Sequence, residues 1–474
     1  MFKNKIFSLL LSICIMVCSI VSVGAAEKHN NSFLDVRGVD VSSYISLKNS
    51  GVDFYDFDGN KLTDNQYFAF LKSCGINYVR IRIWNNPYDE NENGYGGGNC
   101  DLQNAVTIGK LASENSMKVF ADFHLSDFWT DPSQQRVPKA WASFNLSQKQ
   151  RAVYDYVFSS LETLKSNGVD VGMVQIGNEI NSGMCGETSA KNVAALLKSG
   201  FSAVKDADSK ILKAVHYTNP EKNGYEYFAE NLNKYGVDYD VFASSYYSYW
   251  HGTTENLTYQ LKNIADKYNK YVLCAETSYP FTNQDSDFFA NNISGNETYL
   301  KYPVSIDGQK NAVSDVVSAV ANVGEKGLGV FYWEPSWITV GTNSYQDNLK
   351  KWEQFGSGWE SSYAAEYCDD KAQYHGGSSW DNQALFDKNG KPLNSLSVFK
   401  DFAPQYQMGD VNLDGKIDVI DSTLIQKYCS GIVSFDETQI KLADVNCDGT
   451  VDITDSTKIQ KYLANIINAL KNQT

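Results

Sequence analysis

The feature that most constrains the fold is an eightfold alternation of strand-like and helix-like segments between residues 33 and 402. Short runs rich in β-branched and aromatic residues are each followed by a longer stretch, usually with helical periodicity. The strand-like runs are residues 34–42, 77–84, 118–125, 171–176, 211–217, 241–247, 271–275 and 328–333. The helical patterns include residues 64–74, 148–166, 190–205, 257–268 and 312–325. This alternation predicts an α/β fold, a (β/α)8 barrel of the TIM-barrel type, over residues 33–402.

A doubly wound open sheet is the alternative for such a pattern. It would need fewer strands and usually a glycine-rich phosphate-binding turn, which the sequence lacks. In a barrel, functional residues lie at the carboxyl ends of the strands. The loops expected there, residues 85–101, 277–301 and 335–387, are rich in polar and aromatic side chains. They predict a groove at this end of the barrel.

The first 26 residues have the pattern of a secretory signal peptide. Lys3 and Lys5 precede an apolar run from Ile6 to Val23, and small residues follow up to Ala26. A membrane anchor is the alternative, but the run reaches spanning length only if all of it is counted, and no stop-transfer pattern follows. The sequence therefore predicts a secreted, extracellular protein with no membrane partner.

Charge and cysteine content exclude several classes of function. A net charge of −15 argues against nucleic acid as a partner. Of nine cysteines, two lie in the predicted leader, and the rest show no metal-binding spacing, which argues against zinc. We expect most of the remaining seven to be free buried thiols. The seven are Cys74, Cys100, Cys185, Cys274, Cys368, Cys429 and Cys447.

The composition changes after Phe402, where a short linker (residues 403–407) leads to a repetitive tail (residues 408–470). DVNLDGKIDVIDSTLIQKYC, from Asp410, matches DVNCDGTVDITDSTKIQKYL, from Asp444, at 13 of 20 positions. Each copy begins with a 12-residue loop that carries oxygen ligands at the spacing calcium prefers, with a glycine, Gly415 or Gly449, at the sharp turn. The predicted ligands are Asp410, Asn412, Asp414, Lys416, Asp418 and Asp421, then Asp444, Asn446, Asp448, Thr450, Asp452 and Asp455. Lys416 and Thr450 would offer backbone carbonyls.

A solvated acidic tail is the alternative, but it does not explain the same ligand spacing occurring twice. Each loop ends in Asp rather than Glu, and only an exiting helix is expected in each copy. This duplicated loop–helix form resembles the dockerin domain of cellulosome enzymes. The resemblance implies two Ca²⁺ ions, an all-α fold and a cohesin domain of a scaffoldin as partner. A calcium-stabilised cap without a partner is the rival interpretation.

Two glutamates follow strands that face each other across the predicted barrel. Glu179 ends VGMVQIGNEI after the fourth strand, and Glu276 ends YVLCAETS after the seventh. A lone glutamate in such a position is often a helix cap or an ion-pair partner. A pair at the mouth of a barrel can flank a glycosidic bond, with one carboxyl protonated and the other ionised. The pair therefore predicts a glycosidase, and Asn178 directly before Glu179 resembles the pattern of retaining barrel glycosidases. We expect burial and the neighbouring carboxylate to raise the pKa of the acid.

The chain resembles glycoside hydrolase family 53, the endo-β-1,4-galactanases, over roughly residues 33–402. The motifs that carry the resemblance are NYVRIRIWNNPYD, GYGGGNCDL, KVFADFHLSDFWTDPSQQRVPKAW, VQIGNEI, AETSYPFT, VFYWEPSW and WDNQALFD. Leu125 stands where the family has Tyr. The resemblance implies hydrolysis of galactan side chains of pectin, with Glu179 as acid/base, Glu276 as nucleophile and Asn178 on the sugar 2-hydroxyl.

Further substrate-binding residues are expected around the pair. Arg82 is the first candidate to hold Glu276 ionised, with Arg80 on the same face and a core ion pair as the alternative. Candidates for sugar contacts, each with a structural role as the alternative, are His124, Asp127, Trp129, Tyr246, Tyr247, Trp250, Trp333 and Trp337.

The resemblance also implies a barrel calcium site in the loop after the seventh strand. The matching residues are Asp285, Asp287, Asn291, Ser378 and Asp381. Phe289 stands where the family has a ligand histidine, so the site departs from the family pattern.

Two other functions remain open at this point. One is a retaining barrel glycosidase acting on mannan, xylan or β-glucan, which activity on those polymers would identify. The other is a galactan-binding protein without catalysis, which binding without turnover would identify.

Overall fold

The computed structural model describes residues 34–295, 297, 299–341, 344–368, 375–403, 407–413 and 415–470. The predicted signal peptide (residues 1–26), much of the predicted linker and Asp414 lie outside the described residues. Among the residues described, no helix is long and apolar enough to span a membrane.

Eight parallel strands close into a barrel in sequence order, with β1 paired to both β2 and β8. The strands are β1 Val36–Asp40, β2 Tyr78–Ile83, β3 Lys118–Phe123, β4 Val171–Ile176, β5 Leu212–Tyr217, β6 Val241–Ser245, β7 Tyr271–Thr277 and β8 Gly327–Trp333. The predicted (β/α)8 barrel is confirmed, and the open-sheet alternative is wrong because β8 hydrogen-bonds to β1.

Helices cover the outside of the barrel, and others form the tail. In the barrel they are α1 Tyr44–Asn49, α2 Asp64–Ser73, α3 Leu102–Glu114, α4 Leu146–Ser166, α5 Ala190–Ala207, α6 Tyr225–Lys234, α7 Thr254–Tyr268, α8 Ile306–Ala321, α9 Tyr345–Phe355 and α10 Val398–Asp401. Short 3-10 helices are Lys139–Trp141, Pro220–Lys222, Ser362–Glu366, Asp381–Gln383 and Asn394–Ser397. The start of α8 was predicted two turns late because its first turns are polar; the Ser305 side chain caps it by accepting from the Gly308 amide.

The inside of the barrel is apolar at one end and polar at the other. A separate cluster of buried apolar residues, most of them in the first half of their strand, forms a plug: Val36, Phe120, Met173, Ala214, Val241, Ala243, Leu273, Ala275 and Phe331. Other residues, most of them nearer the carboxyl ends of the strands, are charged or polar and buried: Asp40, Arg80, Arg82, Asp122, Gln175 and His216. Because side chains alternate along each strand, these polar residues converge under the mouth, with Arg80 one level deeper than Arg82.

The tail contains three helices, α11 Val419–Cys429, α12 Glu437–Ala443 and α13 Ile453–Leu463. In each copy the residue at loop position 9, Asp418 or Asp452, is the N-cap of the exiting helix. The expectation that only exiting helices are present is wrong for the second copy, since α12 ends directly before Asp444. Its start is fixed by a capping box in which Asp436 and Gln439 each bind the other's backbone amide.

Candidate active site

The carboxyl ends of the strands surround a cleft of about 700 Å³. Both Glu179 and Glu276 line it, together with aromatic side chains from several loops. The predicted pair is therefore brought to one cleft at the end of the barrel where function was expected.

Glu276 is the second-last residue of β7 and is buried. Arg80 Nη1 donates to its Oε1 at 2.7 Å, and the Tyr247 hydroxyl donates to its Oε2 at 2.9 Å. Burial raises the pKa of Glu276 above its usual range, while the Arg80 charge and the Tyr247 hydroxyl oppose that rise. The surroundings thus supply one cation and one neutral donor to the ionised carboxylate.

Glu179 lies three residues beyond the end of β4 in a left-handed backbone conformation, with φ of 44°. For a residue with a side chain this conformation costs about 1–3 kcal/mol, and it is often found at functional sites. The Ser245 Oγ lies 2.6 Å from its Oε1. Burial and then the charge of Glu276 raise the pKa of Glu179 to about 8, so the side chain keeps its proton at neutral pH. The rise in pKa that the sequence predicted for the proton-donating carboxyl is thus found at Glu179.

Asn178 lines the cleft beside Glu179 and is buried. Its Oδ1 accepts from Arg80 Nη2 at 2.9 Å, and its Nδ2 donates to the Thr130 carbonyl at 2.8 Å. Because Arg80 can only donate, these contacts fix which end of the amide is the oxygen.

The prediction that Arg82 holds Glu276 is wrong, because Arg80 makes that contact. Arg82 Nη2 donates to Glu334 Oε1 at 2.6 Å, and Asp40 accepts from both arginines. The two arginines share the inward face of β2 at successive levels. Arg80 is one level deeper, where it reaches across the barrel to β7, and Arg82 lies beside the end of β8.

Glu334 is a buried carboxylate whose role the sequence did not indicate. It follows β8 with φ of 52° and accepts from the Ser43 hydroxyl at 2.8 Å as well as from Arg82. Burial raises its pKa to about 7, opposed chiefly by Arg82. Its position between Trp333 and Trp337, directly after a strand, was the available signal.

Indole rings form much of the cleft wall. Trp129 and Trp333 line the cleft as predicted, and so do Trp359 and Trp380. The Trp359 ring stacks on Trp129 at 4.7 Å and lies nearly parallel to Trp380 at 5.9 Å. Trp337 is fully buried behind them, so its alternative role in the core applies. Long loops carry Trp359 and Trp380, and no strand pattern marked them.

His124 and Asp127 differ in their relation to the cleft. His124 lines it, with Nε2 3.1 Å from Asp122 Oδ2 and Nδ1 2.9 Å from the Thr130 hydroxyl. The Asp127 carboxylate instead accepts from the backbone amides of Asn86 and Lys139, at 3.0 and 2.7 Å. Asp127 is not among the cleft-lining residues described, and these contacts give it a loop-anchoring role.

Tyr246 was expected in the groove, but its hydroxyl donates to the Gly252 carbonyl and its ring is buried away from the cleft lining. Tyr247 and Trp250 line the cleft. Side chains alternate along the chain, so Tyr247 shares the inward side with Ser245, whereas Tyr246 points the other way. The alternation could have separated Tyr247 from Tyr246 and identified Ser245, which the sequence analysis did not name.

The predicted barrel calcium residues also come together. Carboxylate oxygens of Asp285, Asp287 and Asp381 lie within 4.8 Å of one another. Ser378 donates its amide to Asp287 Oδ2 at 2.7 Å, and Asn291 contacts Asp381. Burial and then mutual repulsion raise the pKa of Asp287 well above its usual range.

This cluster fits a cation. Asn291 Oδ1 and Asp381 Oδ1 are buried and have no hydrogen-bond partner among the described residues. A Cβ on Gly377 would lie 2.1 Å from Asp287 Oδ2, so the glycine is needed for the close approach of the chain. Phe289 packs against Trp352 in place of the family's histidine, and oxygen donors alone form the cluster.

The tail loops wrap around their own first and last aspartates. In the second loop Asp444 accepts from the amides of Asp448 and Gly449, and Asp455 accepts from those of Asn446 and Asp452. In the first loop Asp410 accepts from the Gly415 amide and Asp421 from the Asp418 amide. The predicted ligand positions thus line compact loops, with Asp414 outside the described residues.

Comparisons with known proteins agree with this geometry. Residues 36–399 match the model of glycosyl hydrolase family 53, and residues 408–464 match the type I dockerin domain. An endo-β-1,4-galactanase of Bacillus subtilis is 53% identical over 80% of this chain and 88% of its own length. The solved catalytic domain of an Ignisphaera aggregans member of the family has 36% identity and a TM-score of 0.69, covering 78% of this chain and 96% of that chain. A fungal β-1,4-galactanase structure has 28% identity and a TM-score of 0.61, covering 77% of this chain and 99% of that one.

Proposed function

Since the chain belongs to glycosyl hydrolase family 53, we propose that it is a secreted endo-acting enzyme that hydrolyses β-1,4-galactan with retention of configuration. The observation that carries the proposal is the unequal environment of two carboxyls in one cleft. Glu276 has an arginine partner, whereas Glu179 has a serine partner and a pKa of about 8. One group is thus suited to attack and the other to donate a proton.

In the proposed first step, Glu276 attacks the anomeric carbon while Glu179 gives its proton to the departing glycosidic oxygen. The bond from the sugar to that oxygen breaks, and a covalent glycosyl–Glu276 ester forms. In the second step, Glu179 takes a proton from water as the water oxygen attacks the same carbon. The ester breaks, Glu276 leaves as a carboxylate, and Glu179 is ready to act again as an acid.

Arg80 supports this division of roles. It contacts Glu276 and Asn178 at once, so it fixes the nucleophile relative to the residue proposed to bind the sugar 2-hydroxyl. Charge on Glu276 disappears when the ester forms, which lowers the proton affinity of Glu179 for its second role. The same pair can therefore act as acid and then as base.

The choice of galactan rests on the relatives, which are named endo-β-1,4-galactanases. The aromatic cleft suits a sugar polymer, because flat indole rings pack against the apolar faces of pyranose rings. A retaining glycosidase on mannan, xylan or β-glucan, or a galactan-binding protein without turnover, would share these features.

For the tail we propose two Ca²⁺ ions, one in each loop, and docking to a cohesin domain of a scaffoldin, which would place the enzyme in a cellulosome. Type I dockerins bind calcium, and the first and last aspartates of each loop already gather backbone amides around them. Val419, Ile420 and Ile453, at the starts of the exiting helices, are each more than half exposed. Such apolar exposure favours a protein partner over a cap without one.

We also propose that the barrel cluster holds a third Ca²⁺. Asp285, Asp287 and Asp381 would bind the ion, with the Asn291 side-chain oxygen beside them. The ion would supply positive charge between loops that form part of the cleft wall.

One assay tests the enzymatic proposal. Reducing-sugar release and product size are measured on linear β-1,4-galactan, mannan, xylan and β-glucan, and the anomeric configuration of the first product is followed by NMR. We expect short galactooligosaccharides from galactan only, first formed as the β-anomer. Cleavage of another polymer would contradict the substrate, an α-anomer would contradict retention, and binding without turnover would contradict catalysis.

The docking proposal has its own assay. The full-length protein is mixed with a panel of type I cohesins in calcium and then in excess chelator. Binding of a cohesin that disappears with chelator supports both the ions and the partner. Absence of binding across the panel in calcium would favour the cap.

A further inference from the structure

His216 is a buried histidine in β5 that the proposed reaction does not use directly. It is fully buried, and its two ring nitrogens connect groups on either side of the acid/base. Nδ1 lies 2.9 Å from Asn178 Oδ1, and Nε2 lies 2.9 Å from the Ser245 hydroxyl. Ser245 in turn is 2.6 Å from Glu179 Oε1. These hydrogen bonds therefore connect Asn178, through His216 and Ser245, to the Glu179 carboxyl that is proposed to donate the proton.

The direction of these hydrogen bonds follows from Arg80. Arg80 has only donors, so the Asn178 atom that it contacts is the amide oxygen. An oxygen 2.9 Å from His216 Nδ1 requires a hydrogen on that nitrogen. Two N–H groups also face Nδ1, Gln175 Nε2 at 3.1 Å and the Glu179 backbone amide at 3.4 Å. Both contacts are longer than the one to Asn178 Oδ1, and Gln175 Nε2 donates to Asp122 Oδ1 at 2.6 Å.

The other ring nitrogen must then accept. Burial, followed by the charge of Arg80, lowers the pKa of His216 well below its usual range, so the ring is neutral and carries one hydrogen. With that hydrogen on Nδ1, Nε2 accepts the Ser245 hydroxyl hydrogen. The Ser245 oxygen then presents a lone pair to Glu179, which satisfies a protonated carboxyl and repels an ionised one.

We propose that His216 and Ser245 are positioning residues that form a one-way hydrogen-bond chain holding Glu179 in its protonated form. Glu179 donates to Ser245, Ser245 donates to His216 Nε2, and His216 Nδ1 donates to Asn178. The proposal rests on the role of Glu179 given above. When Glu179 gives up its proton, Ser245 must turn its hydroxyl hydrogen toward the carboxylate and leave Nε2 without a donor. Reprotonation restores the chain, so it favours the acid form at the start of each cycle.

Other charged and titratable groups lie around this hydrogen-bond chain, on several strands and loops. Glu179 faces Glu276 from β7, Asp131 from the loop after β3, and Arg80 from β2, with the hydroxyls of Tyr225 and Tyr247 nearby. His216 faces Arg80, Asp122 and His124. Glu276 and Asp131 favour the proton on Glu179, and Arg80 opposes it. A Ser245 hydroxyl that donated to the ionised carboxylate would lower the pKa of Glu179, whereas the Ser245 lone pair assigned here favours the proton.

The first test reads the hydrogen positions directly. Histidine ring ¹⁵N shifts are recorded on the free full-length protein, which has five histidines, and the His216 signal is assigned by its loss in His216→Gln. We expect a neutral ring with hydrogen on Nδ1. Hydrogen on Nε2, or a charged ring at neutral pH, would overturn the proposal. Neither outcome depends on which polysaccharide is cleaved, so failure of the proposed function is distinguishable.

The second test uses Ser245→Ala and measures the ionisation of Glu179 by ¹³C NMR of the side-chain carboxyl, assigned with Glu179→Gln. If Ser245 accepts from the protonated acid, its loss lowers the pKa of Glu179 by about one pH unit, the size of effect expected from one hydrogen bond. If Ser245 is an ordinary donor to the carboxylate, the pKa rises instead. A rise or no change would overturn the proposal.

Ser244→Ala is the matched control, because the Ser244 hydroxyl contacts Tyr225 rather than Glu179. It should leave the pKa of Glu179 unchanged. In galactan hydrolysis, the alkaline limb of kcat/KM should move to lower pH in Ser245→Ala and stay in place in Ser244→Ala. A role of Ser245 in folding alone would lower the amount of active protein without moving the limb.

Discussion

The barrel mouth and the loop that follows β7 both concentrate buried carboxylates, but they balance the charge differently. Four carboxylates at the mouth are ion-paired with Arg80 or Arg82: Asp40, Asp122, Glu276 and Glu334. In the loop cluster, Asp285, Asp287 and Asp381 lie together, and no lysine or arginine in the described part of the chain is ion-paired with them. The mouth has cations among its own side chains, whereas we propose that the loop cluster takes its cation from solution.

This difference in counter-charge predicts which properties of the protein depend on a bound metal ion. Burying an unpaired carboxylate is costly, so each cluster needs a counter-charge before the chain around it is stable. Arg80 and Arg82 are covalently part of β2, and the chemistry they support should be present whenever the barrel is folded. The loop cluster should instead respond to free calcium, with effects on stability rather than on bond cleavage.

The largest effect expected at the mouth comes from removing the proposed nucleophile, Glu276. Glu276→Gln keeps the size of the side chain and a contact with Arg80 but cannot form the ester. We expect kcat on β-1,4-galactan to fall by at least about a thousandfold, because removal of a covalent nucleophile leaves only binding and electrostatics. Glu187→Gln, at a carboxylate paired with Lys149 away from the cleft lining, is the control and should keep most activity. A Glu276→Gln enzyme with near-normal kcat would show that another group attacks.

Substitution of Arg80 and of Arg82 should affect different kinetic constants. Arg80→Lys keeps the charge but loses the fork that reaches Glu276 and Asn178 together, so we expect kcat to fall about a hundredfold, as misplacement of reacting groups does. Arg82→Lys should mainly raise KM, because Arg82 lines the cleft and its guanidinium lies 4.7 Å from the Trp129 ring. Initial rates over a range of galactan concentrations distinguish the two. The reverse pattern would restore the assignment of Arg82 as the partner of the nucleophile.

The protonated acid gives a prediction for pH. Glu179 must carry its proton to donate it, and its pKa is about 8. We therefore expect kcat/KM to be level below this pH and to fall about tenfold per pH unit above it. On the acid side, kcat/KM should fall as Glu276 becomes protonated, at a pH above the usual range of a glutamate. An alkaline limb near pH 5 would mean that Glu179 is ionised at neutral pH and cannot be the acid.

The fold was predictable because its signals are local and repeated. Eight strand patterns and their intervening helices determine a closed barrel, and strand ends then locate Glu179 and Glu276 at one mouth. The predicted helix boundaries were wrong where a helix begins with polar residues, as at α8, whose first turn is fixed by the Ser305 cap.

Within the site, the sequence could identify residue types but not which partners they contact. Arg80 and Arg82 share one face of β2, and only the depth of each in the barrel decides which one reaches Glu276. Trp359 and Trp380 come from long loops with no periodicity, so nothing in the pattern placed them beside Trp129. Contacts that depend on depth or on loop paths required the structure.

A smaller difference in kcat is expected between substitutions of the neighbouring residues Tyr246 and Tyr247. Tyr247→Phe removes a donor from Glu276, and we expect kcat to fall about tenfold, the effect of one hydrogen bond to a charged group. Tyr246→Phe removes only a donor to the Gly252 carbonyl and should change kcat less than about twofold. Equal losses would mean that both act through the packing of the loop after β6.

The smallest effect on the reaction should come from calcium at the loop cluster. Calcium bound only to the folded barrel stabilises it by mass action, about 2.7 kcal/mol at a free concentration a hundred times the Kd. Chelator should therefore lower the Tm of the barrel transition by a few degrees in calorimetry, with little change in kcat at 25 °C.

Asp287→Asn removes a charge from the cluster, so its barrel Tm should no longer respond to calcium and should exceed that of the wild type in chelator. Asp58→Asn, at an exposed aspartate outside the cluster, should keep the wild-type response. If chelator left the wild-type barrel Tm unchanged, the loop cluster would be stable without an ion, and the contrast with the mouth would be lost.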